Sequence, residues 1–184
     1  VDFEAVALRH KWLQVMDEGR PADRALVDLA LIRGRFMGAR AVWSADGLQE
    51  LVVTRADPAT IGLSAIAGVL SPVAPEEPLG LAVSFDPAAS RRVLAPLAPG
   101  LLVELGIRAV RELAPGQEVQ LRPEEPVMVT LDGEREIALT AGQELTVRLR
   151  ADGPWIVDSE RVLREMVRLH LLERGAPCAE GELR

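Results

Sequence analysis

The chain has 184 residues, 48% of them apolar and 27% charged, and a formal net charge of −7. A chain this long buries about 70% of its extended surface, enough for one sizeable core, and the composition excludes a disordered or fibrous protein. The acidic balance argues against a broad nucleic-acid-binding face, and the single cysteine excludes an internal disulfide framework and leaves a zinc site short of soft ligands.

Residues 3–16 read as a helix giving way to a short strand. Phe3, Val6, His10 and Leu13 share a helical face, whereas Leu13, Val15 and the turn at Asp17, Glu18 and Gly19 suit a strand end. Candidate strands follow at 25–32, 36–42 and 50–54. Asp57 then suits a helix N-cap and Pro58 the first helical position, so a helix is expected to start there. The first turn of such a helix exposes unpaired amides at the positive end of its dipole, a favourable place for a phosphate. Ala59, Gly62, Ala65, Ala67 and Gly68 are small enough for close approach of a backbone or flat ligand, and Thr60 and Ser64 add hydroxyls.

The proline-rich stretch 71–78 reads as a loop leading to a strand at 81–85. Short strands are then expected near 91–95, 101–105, 109–113, 118–122, 127–131, 136–139, 145–149 and 155–157, the spacing of a sandwich or distorted barrel. Asp132-Gly133 is a hairpin signal, and Asp152-Gly153 marks a second tight turn. Residues 113–121 and 139–147 echo each other, each passing a Gly-Gln-Glu turn into an alternating strand, which points to pseudo-symmetry within one β fold. Asp158 caps a final helix whose stripe of Leu163, Met166, Val167, His170 and Leu171 ends at Gly175. That helix is expected to cover an open sheet face, or else to dock on another domain or subunit. The domain reading is one β-rich domain over 1–174, with a lead-in at 1–20, a helix at 158–174, and a flexible tail at 175–184 carrying Cys178 as a free thiol.

Three stretches carry a family resemblance. Residues 54–68, Thr-Arg-Ala-Asp-Pro-Ala-Thr-Ile-Gly-Leu-Ser-Ala-Ile-Ala-Gly, resemble a divergent form of the Thr-Pro-Thr-Gly-Ser segment of ATP-NAD kinases, anchored by Thr60 and Gly68. They resemble still more the acetoin-catabolism X-type relatives of those kinases. Residues 25–34 resemble the kinases' Ala-Leu-Asn-Glu strand, with Asp28 on the acidic position and Val27 on that of the asparagine. Residues 131–134, followed by Leu139 and Gly142, resemble their C-terminal Asp-Gly hairpin.

The resemblance implies a mainly β fold with a few helices, like the C-terminal domain of NAD kinases, and a small-molecule nucleotide, NAD or NADP, as ligand. The candidate binding residues are Asp28, Asp57, Thr60, Gly62, Ser64 and Asp132. The kinases' Gly-Gly-Asp-Gly motif, which supplies their acid/base aspartate, does not occur here. No catalytic or metal-binding residue is therefore assigned, the chain alone is expected to be inactive, and ATP is expected only together with an N-terminal kinase domain. A cytoplasmic homo-oligomer without membrane or nucleic-acid partners is expected. The first residue, Val1, fits a fragment, a processed chain or a non-standard start.

Each candidate also has a plainer reading. Strand alternation alone can turn Asp28 to water, Asp57 can serve only as a cap, Asp132 only as a turn residue, and Thr60 and Ser64 as helix-surface hydroxyls. His10 and His170 read as partly buried, hydrogen-bonded histidines, and Trp12, Trp43 and Trp155 as core or interface. Two alternatives to nucleotide binding stand: an assembly or regulatory module that has kept the shape and lost the ligand, and a lipid-kinase relative with a deep apolar pocket.

Overall fold

The computed structural model describes residues 2–33 and 47–173. In chain order the elements are α1 (Phe3–Val6), β1 (Ala7–Arg9), β2 (Trp12–Asp17), β3 (Arg20–Ala25), β4 (Asp28–Arg33), β5 (Leu48–Val53), α2 (Leu63–Leu70) and β6 (Gly80–Phe85). They continue with β7 (Arg92–Ala98), β8 (Leu101–Leu113), β9 (Glu118–Leu121), β10 (Val127–Leu131), β11 (Arg135–Leu139), β12 (Leu145–Arg150), β13 (Trp155–Val157) and α3 (Ser159–Arg168). The fold is mainly β with few helices, as expected. The strand expected at 36–42 and the tail at 175–184, with Trp43 and Cys178, lie outside the described residues.

The described residues form two compact units, one within Val1–Arg9 and Pro154–Arg184 and the other His10–Gly153. The larger unit contains a seven-stranded antiparallel sheet in the order β11-β10-β4-β5-β6-β8-β7 and a four-stranded one in the order β3-β2-β12-β9. Period-two alternation explains how the large sheet is buried on both faces. Leu29 and Leu31 of β4 join Val52, Val129 and Leu131 against Leu13, Val15, Val147 and Leu149 of the smaller sheet. Ala30 and Ile32 point the other way, joining Leu51, Val53, Leu81 and Val83 around Ile66 of α2. The continuous apolar run in β4 is thus the mark of a strand covered from both sides.

The echo between 113–121 and 139–147 is a real local pseudo-symmetry. Gly116 and Gly142 both have positive φ, at 90° and 78°. The Gln117 amide group accepts the N–H of Ala114, and that of Gln143 accepts the N–H of Thr140. Gly116 N–H donates to Leu149 O at 2.7 Å, and Gly142 N–H to Pro123 O at 2.8 Å. The strands these turns feed, β9 and β12, pair antiparallel with Val147 opposite Val119.

Several boundaries differ from expectation for identifiable reasons. Residues 25–32 are two strands, because the chain bends at Leu26 and Val27, whose carbonyls take the Thr54 hydroxyl (2.7 Å) and the Thr54 amide (2.9 Å). Residues 101–113 form a single strand. Gly106 is there for close approach, since an added Cβ would lie 2.0 Å from Asp86 O. The expected N-terminal helix is only α1, and His10 lies in the link between β1 and β2, buried. The tight turn expected at Asp152-Gly153 does not form: the chain bends at Ala151, and the two residues run on irregularly, with the Trp12 indole donating to Asp152 at 3.0 Å and Gly153 N–H to His10 O at 3.1 Å.

In the smaller unit, β1 and β13 pair antiparallel, with Leu8 opposite Ile156. Asp158 caps α3 as expected, accepting from the amides of Glu160 and Arg161. The helix ends at Arg168, well before Gly175, because His170 turns left-handed at φ 54°. His170 is exposed and contacts Glu173 at 2.7 Å, so the expectation of a partly buried histidine fails there. Among the described residues the apolar stripe of α3 covers no sheet face: the helix lies against α1, and Leu163, Val167 and Leu171 are all more than half exposed. No helix of the described residues is long and apolar enough to cross a membrane.

Candidate functional site

The helix expected to begin at Pro58 begins five residues later. Asp57 and Pro58 instead open a tight turn, in which the Asp57 carboxylate accepts the N–H of Ala59 (2.8 Å) and Thr60 N–H donates to Asp57 O (3.2 Å). The helix is capped at Gly62, whose φ of 90° only glycine adopts without strain, and runs from Leu63 to Leu70 before Ser71 and Pro72. The cause of the displacement is visible at Gly68. Its Cα faces the Asp57–Pro58 backbone so closely that a Cβ there would lie 2.4 Å from Pro58 N. The Asp-Pro link therefore folds back across α2 and cannot serve as its first turn.

This folding opens a cleft of about 650 Å³ in the larger unit. That volume lies within the range of small-molecule sites, roughly 300–1,000 Å³. One wall is the turn and the start of α2, with Asp57, Thr60, Gly62 and Ser64; a second is the loop from Pro72 to Pro75; Val27, Asp28 and Gly133 close a third side. Five of the six residues singled out from the sequence thus meet in one cleft.

The sixth, Asp132, stands just behind it. Asp132 and Gly133 both have positive φ (52° and 65°), the geometry of the expected hairpin turn. Its carboxylate accepts the N–H of Leu26 (2.8 Å), Val27 (2.7 Å) and Asp28 (3.2 Å). Asp132 is therefore a brace for the bend that presents Asp28.

Asp28 is held in an environment that disfavours its charge. Burial first, and the neighbouring Asp132 second, push its carboxyl up to about 6, while Arg55 pulls it the other way. Arg55 itself lines the cleft. The sequence reading passed over it, although it sits two residues before Asp57; its signal was the single cation in an otherwise small and apolar motif.

The hydroxyls have definite roles. Thr60 donates to Asp57 O at 2.7 Å and Ser64 to Arg55 O at 3.1 Å, so both spend their proton inside the turn and keep acceptor lone pairs. Gly62 caps α2 without any side-chain hydrogen bond, leaving the first amides of the helix without intrahelical partners beside Arg55. The cleft therefore combines one cation and a helix start with the carboxylates Asp28 and Asp57. Such a set can serve an anionic group at one end and hydroxyl or amino donors at the other.

A family model described as the acetoin catabolism protein X C-terminal domain matches residues 11–152. Acetoin catabolism protein X of Cupriavidus necator is 38% identical over 162 residues, covering 86% of this chain and 45% of that protein. The chain thus spans less than half the length of that curated relative. Among solved structures, yeast NADH kinase complexed with NADH aligns over 95% of this chain and 53% of that one, at 15% identity and a TM-score of 0.46.

Proposed function

The chain belongs to the acetoin catabolism protein X C-terminal domain family, and from that premise we propose that its cleft binds a nicotinamide dinucleotide, NAD or NADP. The observation that carries this reading is the meeting of Asp28, Asp57, Thr60, Gly62 and Ser64 around one cavity that also holds Arg55. A dinucleotide has what such a cleft can use: phosphates for Arg55 and the amides opening α2, and ribose hydroxyls or an adenine amino group for the Asp28 carboxylate. Phosphoryl transfer depends mainly on positioning and charge stabilisation. In this reading the chain holds the dinucleotide, while an N-terminal kinase domain carrying the Gly-Gly-Asp-Gly motif supplies the acid/base aspartate and much of the site for the donor phosphate of ATP. The chain alone is inactive as a kinase and works in the cytoplasm.

Calorimetric titration with NAD, NADP and ATP tests the proposal: saturable heat with a dinucleotide supports it. The second reading, a non-catalytic assembly or regulatory module, predicts no saturable heat with any of the three. It draws on the inward-spent protons of Thr60 and Ser64 and on the exposed apolar side chains Leu94 and Leu102 of β7 and β8. Those side chains also support self-association, which light scattering over a concentration series measures.

A further inference from the structure

Lys11 is the only lysine in the chain, every other basic side chain apart from two histidines being arginine. It is also buried, at 5% exposure, where lysines are seldom found. Its ammonium donates to three main-chain carbonyls, Glu77 O at 2.5 Å, Leu79 O at 2.6 Å and Ala74 O at 3.1 Å. Three donors on one nitrogen meet three converging acceptors, an arrangement that the planar fork of arginine does not reproduce. All three carbonyls belong to the link between α2 and β6, residues 71–79, in which Pro72 to Pro75 form one wall of the cleft.

That loop has other ties as well, including Val73 buried in the core. Val73 and Ala56 exchange backbone hydrogen bonds of 2.8 and 3.0 Å, and Glu77 closes a local turn by accepting the N–H of Ala74 at 3.1 Å. Pro72, Pro75 and Pro78 have no N–H to contribute. Burial disfavours the charged Lys11 ammonium and lowers it to about 8, with Glu77 and Glu76 opposing the shift, and the nearby His10 is itself disfavoured as a cation by burial, Arg55 and Lys11.

We propose that Lys11 is a positioning residue of the cleft: by gathering the carbonyls of Ala74, Glu77 and Leu79 it holds the proline-rich wall in place and so sets the affinity for the bound ligand. This rests on the cleft being the ligand site, so one arm of the test needs no ligand. In the full chain, hydrogen exchange at the amides of Ala56 and Val73 should accelerate at least tenfold in Lys11→Met, and by less in Lys11→Gln, which keeps one donor group, while sheet amides such as Leu51 and Val83 change little. In the wild-type chain, acetic anhydride should modify Lys11 at least a hundredfold more slowly than a free amine, and NAD should slow it further.

The dissociation constant for NAD should rise at least tenfold in Lys11→Met without a matching fall in the urea midpoint. Unchanged exchange at Ala56 and Val73, equal acceleration across all the sheets, or wild-type acetylation at the free-amine rate overturns the proposal. If wild-type chain binds no dinucleotide yet the exchange and acetylation results hold, the nucleotide reading fails and the anchoring of the loop by Lys11 stands.

Discussion

The N–H of Val27 points at the Asp132 carboxylate from 2.7 Å, across 105 positions of sequence, and the amides on either side of Val27 join it. One side chain at a hairpin tip thereby fixes the bend from which Asp28 enters the cleft. A charged acceptor serving amides contributes about 1.5–3 kcal/mol per bond when well shielded. Asp132→Ala should therefore lower the unfolding free energy by about 2 kcal/mol or more. Asp132→Asn should cost less, since asparagine tolerates the left-handed φ of 52° and keeps one carbonyl acceptor. Urea midpoints at constant m-value read both differences.

Asp28 trades stability for charge. Its folded-state carboxyl titrates near 6, above the ordinary 3.8, so the folded chain holds more protons than the unfolded one between those values. Its stabilising proton is present at pH 4 and is lost as pH rises through 6, so the unfolding free energy falls by up to about 3 kcal/mol across that window. Asp28→Asn removes that slope. The variant should be more stable than wild type at pH 8 and no more stable at pH 4, as denaturation at the two pH values will tell.

Lys11 gives the opposite slope at the alkaline end. Burial holds its ammonium down at about 8 against an ordinary 10.5, so the folded chain holds fewer protons than the unfolded one across that range. The cost of the buried charge is full below pH 8 and is relieved as pH rises, raising the unfolding free energy by up to about 3 kcal/mol by pH 10.5. With no tyrosine and no second lysine in the chain, Cys178 is the one other side chain whose ordinary titration falls in this window, and a Cys178→Ser background removes it. Lys11→Met should flatten it.

Gly68 admits the backbone of Asp57 and Pro58 to within 2.4 Å of where a Cβ would stand. Gly68→Ala should force the turn away from α2 at a cost of about 1–3 kcal/mol. It should weaken ligand binding as well, since Asp57 and Thr60 ride on the same turn. Gly62→Ala meets no neighbouring atom, so its cost comes from the positive φ alone. Comparing the two by thermal unfolding and calorimetry separates a packing effect from a backbone one.

Much of this was legible in the sequence because it is locally encoded. The β10–β11 hairpin announces itself by Asp132-Gly133 flanked by alternation, and the twin Gly-Gln-Glu turns by composition alone. The α2 start was misplaced because Asp57-Pro58 satisfies the rules for a helix cap and for a tight turn equally well. What decides between them is the contact with Gly68, which is tertiary. Lys11 was missed for a related reason: its partners are carbonyls 63 to 68 residues away, and carbonyls leave no mark in a sequence. The stripe of α3 was legible as a helix face, but periodicity does not say what covers it.

Titration of NAD into the wild-type chain and into Asp28→Asn at pH 8, with the wild type repeated at pH 5, tests the nucleotide reading most directly. Saturable heat in the wild type at pH 8, weakened at least tenfold by the substitution and again at pH 5 as Asp28 takes up its proton, is the expected result. A wild-type chain that gives no saturable heat at pH 8, or an Asp28→Asn variant that binds as tightly, contradicts it.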